Sequence, residues 1–114
     1  MAASNYTNSL TELKRYQEAK KVLRKMMPMA RRVLGDSHDI TLRMRSIYAL
    51  VLYLNPGATL DHLREAVTTL EEIGPTARRV LGGTHPLTSS IVAGLRDAQA
   101  ALRAREMTPP AGGA

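Results

Sequence analysis

Apolar residues recur at helical spacing along most of this chain. Over residues 16–34 the apolar side chains fall on one arc of a helical projection, and six Lys and Arg side chains fall on the opposite arc. Similar patterns predict further helices over about 39–54, 59–81 and 86–106, and residues 4–13 are left for a short helix at the start. Asn55-Pro56-Gly57 marks a turn. The pattern therefore predicts an all-α fold of about five helices.

A repeat of 47 residues runs through these helices. The hexapeptide Ala-Arg-Arg-Val-Leu-Gly occupies residues 30–35 and recurs letter for letter at 77–82, while His38 and Thr41 recur as His85 and Thr88. Self-similarity at such a period is typical of stacked helical repeats, in which each unit buries its apolar face against its neighbours. We therefore predict one helical-repeat domain over residues 1–106, with repeats at about 13–59 and 60–106, followed by a disordered tail at 107–114.

Proline occupies equivalent positions inside two of the predicted helices, at Pro28 and Pro75. Proline removes a backbone donor and clashes with the preceding helical turn. Because it recurs at the same place in both repeats, we expect a kink in each helix and not a break. Gly35 provides the left-handed residue that ends the first long helix.

The two ends of the array are predicted to differ. The last helix has one apolar stripe and one polar face, as a terminal capping helix requires. The first end holds only the short helix at 4–13, so the array contains about two and a half helix pairs, fewer than the three that stability usually needs. Either this short helix caps the end, or a second copy of the chain does so by self-association.

The net charge of +6 comes from the first half of the chain. Residues 1–57 contain ten Lys and Arg against four Asp and Glu, whereas residues 58–114 contain six of each kind. Four basic residues form one line at helical spacings of seven, four and seven: Lys14, Lys21, Lys25 and Arg32. Such a line can bind acidic protein segments, phosphates or anionic lipid. The alternative is a solvated outer face that only keeps the protein soluble.

The residues contain no pattern that indicates catalysis or a cofactor. The chain has no cysteine, and its three histidines supply too few ligands for a metal. Asp36-Ser37-His38-Asp39 has the letters of a hydrolase triad, but neighbours within one turn cannot converge on a substrate, and they suit a helix start instead. A secretory signal, a long apolar run and a glycine-rich phosphate loop are also missing. We therefore predict a cytoplasmic protein that is not an enzyme and binds no cofactor, metal or membrane.

Short motifs at the 47-residue offset give the chain a resemblance to a known family. The first copy reads Lys-Arg-Tyr-Gln-Glu-Ala at 14–19, Arg-Val-Leu-Gly at 32–35 and His-Asp-Ile-Thr at 38–41. The second copy reads Leu-Arg-Glu-Ala at 63–66, Arg-Val-Leu-Gly at 79–82 and His-Pro-Leu-Thr at 85–88. Because of these motifs, the segment from about residue 10 to about residue 105 resembles tetratricopeptide repeat (TPR) proteins of the kinesin light chain type. The resemblance implies an α-solenoid of antiparallel helix pairs in a right-handed superhelical stack.

In that family the first helix of each pair lines a concave groove that binds peptides. By this resemblance the candidate groove residues are Leu42, Ser46, Tyr53, Ser89 and Arg96. The family usually has asparagines in the groove, at positions where this chain has Ser46-Ile47 and Ala93-Gly94. A different interpretation is that Leu42 and Tyr53 simply pack on the preceding helix.

The sequence thus predicts a non-catalytic scaffold for protein–protein or protein–peptide interaction, with acidic partner segments favoured by the basic line. Two alternatives stay open. One is a nucleic-acid-associated helical-repeat protein that uses the same basic line, although Tyr16, the aromatic residue nearest to the line, is predicted to point inward and cannot stack on bases. The other is a self-associating structural module.

Overall fold

Four helices make up the computed structural model, which describes the backbone of residues 2–55 and 57–107 and the side chains of residues 14–55 and 57–107. They are α1 (Ala2–Val33), α2 (Asp39–Leu54), α3 (Leu60–Leu81) and α4 (Pro86–Met107). The described part of the chain contains no strand. The all-α prediction is confirmed.

The predicted number of helices was wrong, because the segments at 4–13 and 16–34 form the single helix α1. No glycine or proline separates them, and Leu13, Lys14 and Arg15 all have high helix propensity. Helices α1 and α3 also run through Pro28 and Pro75 without a break, as predicted. Met107 ends α4 and does not belong to the predicted tail, whose other residues, 108–114, lie outside the described part.

The turns after α1 and α3 have the same construction 47 residues apart. Gly35 and Gly82 adopt positive φ angles of 94° and 97°, which only glycine adopts readily. His38 Nδ1 then accepts a hydrogen bond from the backbone N–H of Ile40, and His85 Nδ1 accepts one from Leu87, both at 3.1 Å. The two histidines therefore cap the N-termini of α2 and α4. Their recurrence is explained by local backbone hydrogen bonding.

The core lies among α2, α3 and α4, and each helix packs against the next along the chain. Helix α2 also contacts α4, whereas the backbone of α1 approaches only α2 among the described helices. Five apolar residues at helical spacing on α3 are buried: Leu63, Ala66, Val67, Leu70 and Ile73. The amphipathic pattern of α3 was therefore sufficient to identify its buried face.

The apolar residues of α1 and α2 are less buried than their patterns suggested. Among the residues of α1 whose side chains are described, only Ala30 is buried, and Leu23 and Met27 are partly buried against the core. On α2, apolar residues at helical spacing differ in burial, because Val51 is buried whereas Ile40 and Ile47 are exposed. Helix α2 is apolar nearly all round and α1 has a broad apolar arc, and the neighbouring helices cover only part of each.

Thr41 and Thr88 occupy equivalent buried positions but differ in hydrogen bonding. Thr41 Oγ1 donates to the carbonyl of Ala30 at 3.4 Å, whereas Thr88 Oγ1 has no partner among the described residues. An unsatisfied buried hydroxyl costs about 1–3 kcal/mol. We expect Thr88→Val to raise the free energy of unfolding by up to about 1 kcal/mol, and Thr41→Val to lower it by about 0.5–1 kcal/mol. Urea unfolding measures both changes, and equal losses would contradict the assignment.

Candidate functional site

A groove between α2 and α4 is a concave surface that brings the two repeats together. It encloses a cavity of about 440 Å³. Its lining comprises Arg43, Ser46, Ile47, Leu50 and Tyr53 of α2, Leu70 of α3, and Leu87, Ser90, Ala93, Gly94 and Asp97 of α4. The α4 wall is built mainly from small side chains, which leaves room between the two helices.

The same face of both repeats lines this groove. Four lining residues of α2, namely Arg43, Ser46, Ile47 and Leu50, correspond at the 47-residue offset to four lining residues of α4, namely Ser90, Ala93, Gly94 and Asp97. Two helices that present equivalent positions to one concave surface have equivalent orientations in their repeats. The groove is therefore a product of the repeat and not an accident of one helix.

The groove lining contains both apolar and polar side chains. Ile47 and Leu50 are exposed in it. The Tyr53 hydroxyl lies 3.7 Å from the position that a Cβ on Gly94 would occupy, which is an ordinary van der Waals distance, so this ring packs beside α4. Burial, and to a smaller extent the charge of Asp97, raise the pKa of Tyr53, so that its hydroxyl stays protonated and can donate a hydrogen bond.

The predicted groove residues fall into three groups. Ser46 and Tyr53 line the groove. Leu42 is completely buried in the core, where no ligand can reach it, as the packing interpretation had it. Ser89 and Arg96 are exposed on α4 but lie outside the lining, because α4 presents Ser90, Ala93 and Asp97 instead. The sequence analysis did not identify Ser90 and Asp97. These two residues lie 47 positions after Arg43 and Leu50, which line the groove on α2, so the repeat offset connects the two pairs.

The predicted basic line lies on α1, away from this groove. All four of its residues, Lys14, Lys21, Lys25 and Arg32, are exposed. None of them forms an ion pair within the part of the chain whose side chains are described, whereas nearby Arg24 pairs with Glu65 and Arg31 with Asp36. The line is therefore a surface of uncompensated positive charge.

A second cavity, of about 620 Å³, lies beside α1 and contains several arginines. Within it, Arg24 Nε donates to the Tyr48 hydroxyl at 2.8 Å, and this hydroxyl donates to Glu65 Oε2 at 2.7 Å. Arg45 also pairs with Glu72 of α3. Arg24, Arg31 and Arg45 are thus held by acidic or phenolic oxygens and help to join α1, α2 and α3, whereas Arg32, which also lines this cavity, has no ion pair among the residues whose side chains are described.

The described residues contain no cluster of three or more His, Asp or Glu side chains that could hold a metal ion. Within the same residues, no helix combines the length and apolarity needed to cross a membrane. Comparison with known proteins gave no matching family model, no similar curated protein and no similar solved structure.

Proposed function

We propose that this chain is a non-catalytic helical-repeat module that binds a segment of another protein in the groove between α2 and α4. The observation that carries this proposal is the equivalence of the two groove walls at the 47-residue offset. Helical-repeat proteins use concave surfaces of this kind for binding. The groove contains one basic and one acidic residue, Arg43 and Asp97, whose charges offset each other. Apolar contacts therefore dominate binding in the groove.

We further propose that the array is a TPR-like α-solenoid of the kinesin light chain type, with a right-handed stack. Three observations support this: the sequential packing of the helices, the contact of α2 with α4, and the two equivalent glycine–histidine turns. We also propose a cytoplasmic location, which the lack of cysteine favours.

The groove chemistry indicates what kind of segment would bind. Ile47 and Leu50 offer apolar contact, while Ser46, Ser90 and the Tyr53 hydroxyl offer hydrogen bonds. The asparagines typical of the family, which would hold a peptide backbone, are replaced by Ser46-Ile47 and Ala93-Gly94. We therefore expect a ligand that is anchored by one or two apolar side chains, with polar groups beside them.

A phage-displayed library of random peptides tests this proposal. Selected peptides should bind the wild-type protein and should bind Ala93→Arg at least about tenfold more weakly, because the long charged side chain fills the groove. Ala100→Arg is the matched control, since it makes the same change on the same helix outside the lining. Failure to select any peptide, or equal binding to both variants, would contradict a peptide-binding groove.

A nucleic-acid-associated function is the second candidate, and the exposed, unpaired basic line favours it. Its test is binding of a labelled RNA or DNA duplex at increasing salt concentration. Contact of four basic side chains with phosphates predicts a slope of log K against log salt of about −3.6. No measurable binding at low salt, or a flat response to salt, would exclude this function.

A further inference from the structure

We infer that the outer face of α1 is a second docking surface, which takes an acidic amphipathic helix of a partner protein. The inference rests on the proposed function only in treating the chain as a binding module. It centres on α1 and shares only Ile47 with the lining of the groove, so that the two can fail independently. We call this surface the α1 stripe and define it by Val22, Met26, Met29 and Val33.

The α1 stripe is an apolar row that none of the four described helices covers. Its four side chains are between 46% and 70% exposed. Their spacings of four, three and four residues match the seam by which two helices pack along each other. An exposed row of this kind on a folded protein marks a site of interaction.

The surface beside the stripe continues from α1 onto α2. Val22 forms part of a shallow cavity of about 420 Å³ that also includes the exposed Ile47 of α2. A helix placed on the stripe at Val22 would therefore contact α2 as well as α1.

The charges beside the stripe select the partner. The residues that come one position after three of the stripe residues face the core: Leu23, Met27 and Ala30. The residues that come one position before three of the stripe residues are basic: Lys21, Lys25 and Arg32. One position corresponds to about 100° around a helix, so the basic residues flank the stripe on its outer side. A helix that packs on the stripe therefore meets this basic flank, and acidic residues on it would be attracted.

A second copy of the chain fits this surface poorly. Residues 14–33 contain eight Lys and Arg and a single acidic residue, Glu18. Pairing of two such helices along their stripes would bring the two basic flanks together and cost free energy through like-charge repulsion. Charge complementarity thus points to an acidic helix from another protein.

A charge-swap selection tests the inference. The probe is a displayed library of amphipathic helices in which the apolar seam is fixed as Leu and each flanking position is either Glu or Lys. We expect Glu to be selected against the wild-type protein, and Lys to be selected against the double variant Lys21→Glu/Lys25→Glu. Both lysines are exposed, so helical circular dichroism should be unchanged in that variant. No enrichment, or enrichment without a preference at the flanks, would overturn the inference.

Variants on the two surfaces separate this inference from the groove proposal. Met26→Gln/Met29→Gln removes apolar surface without changing charge or helix propensity, and should weaken the selected helix at least about tenfold. Ala93→Arg, in the groove, should leave that binding unchanged. If sedimentation shows a dimer that the double Met variant abolishes, the occupant is a second copy and the inference is wrong. Cosedimentation with phosphatidylserine vesicles that the same variant abolishes would equally overturn it in favour of lipid.

Discussion

Replacement of Leu70 by alanine is expected to lower the free energy of unfolding by about 3 kcal/mol, within the range of about 2–5 kcal/mol found for buried leucines. Leu70 is only 2% exposed, and a Cβ on Gly94 would lie 3.6 Å from its Cδ1 atom. Truncation therefore leaves a cavity in the core where α3 packs against α4. Since a domain of this size is stabilised by about 5–15 kcal/mol, the loss is a large fraction of the total.

Urea unfolding followed by circular dichroism measures this change, with Leu54→Ala as the control. Leu54 lies at the end of α2 and is 47% exposed, so the same substitution there should cost no more than about 0.5 kcal/mol. Equal losses at the two positions would contradict the packing of α3 against α4. Because Leu70 also lines the groove, Leu70→Ala should weaken peptide binding as well, which makes Ala93→Arg the cleaner probe of function.

Replacement of Tyr48 by alanine is expected to cost about 3–5 kcal/mol, the range for large buried aromatic residues. Tyr48 is buried within the core cluster, and its hydroxyl joins Arg24 of α1 to Glu65 of α3. Tyr48→Phe keeps the ring and removes only the hydroxyl, so it should cost about 1 kcal/mol. Similar losses for the two variants would show that hydrogen bonding, and not ring packing, is the larger contribution.

The same residue predicts a pH dependence. Burial, followed by the hydrogen bond to the Glu65 carboxylate, raises the pKa of Tyr48 above its ordinary value. A raised pKa in the folded state means that the neutral phenol is favoured by folding. Its contribution to stability is therefore complete below about pH 10, where the unfolded tyrosine titrates, and is lost as the pH rises through the folded pKa.

Measurement of unfolding free energies between neutral pH and about pH 11 tests this dependence. Other groups titrate in this range, including the lysines and Tyr53, so the informative quantity is the difference between the wild-type protein and Tyr48→Phe. We expect this difference to shrink or change sign as the pH rises. A difference that stays constant over the whole range would contradict the hydrogen-bonded, buried state of the hydroxyl.

Local signals in the sequence determined much of the fold. The positions of α2, α3 and α4 followed from apolar periodicity and from turn residues, and Gly35 was identified as a helix end by its residue type alone. These features depend on interactions within a few residues, such as the hydrogen bond from the Ile40 N–H to the His38 ring. The hexapeptide recurs at 77–82, and Gly82 adopts the same conformation there as Gly35.

The tertiary structure alone decided which apolar side of each helix is covered. Periodicity assigns Ile47 and Leu52 of α2 to different faces, but both faces are apolar, and only the neighbours determine that Leu52 is buried while Ile47 stays exposed. The tertiary structure also decided which residues of α4 line the groove. Ser90 lines it and Ser89 does not, because the packing of α4 on α3 sets the rotation of α4 about its own axis. On α1, the stripe remains exposed because α2 covers only one side of that helix. Sequence patterns therefore determined which residues share a face of each helix. Which of these faces is buried depends on contacts between residues that are distant in the sequence, and no local pattern encodes those contacts.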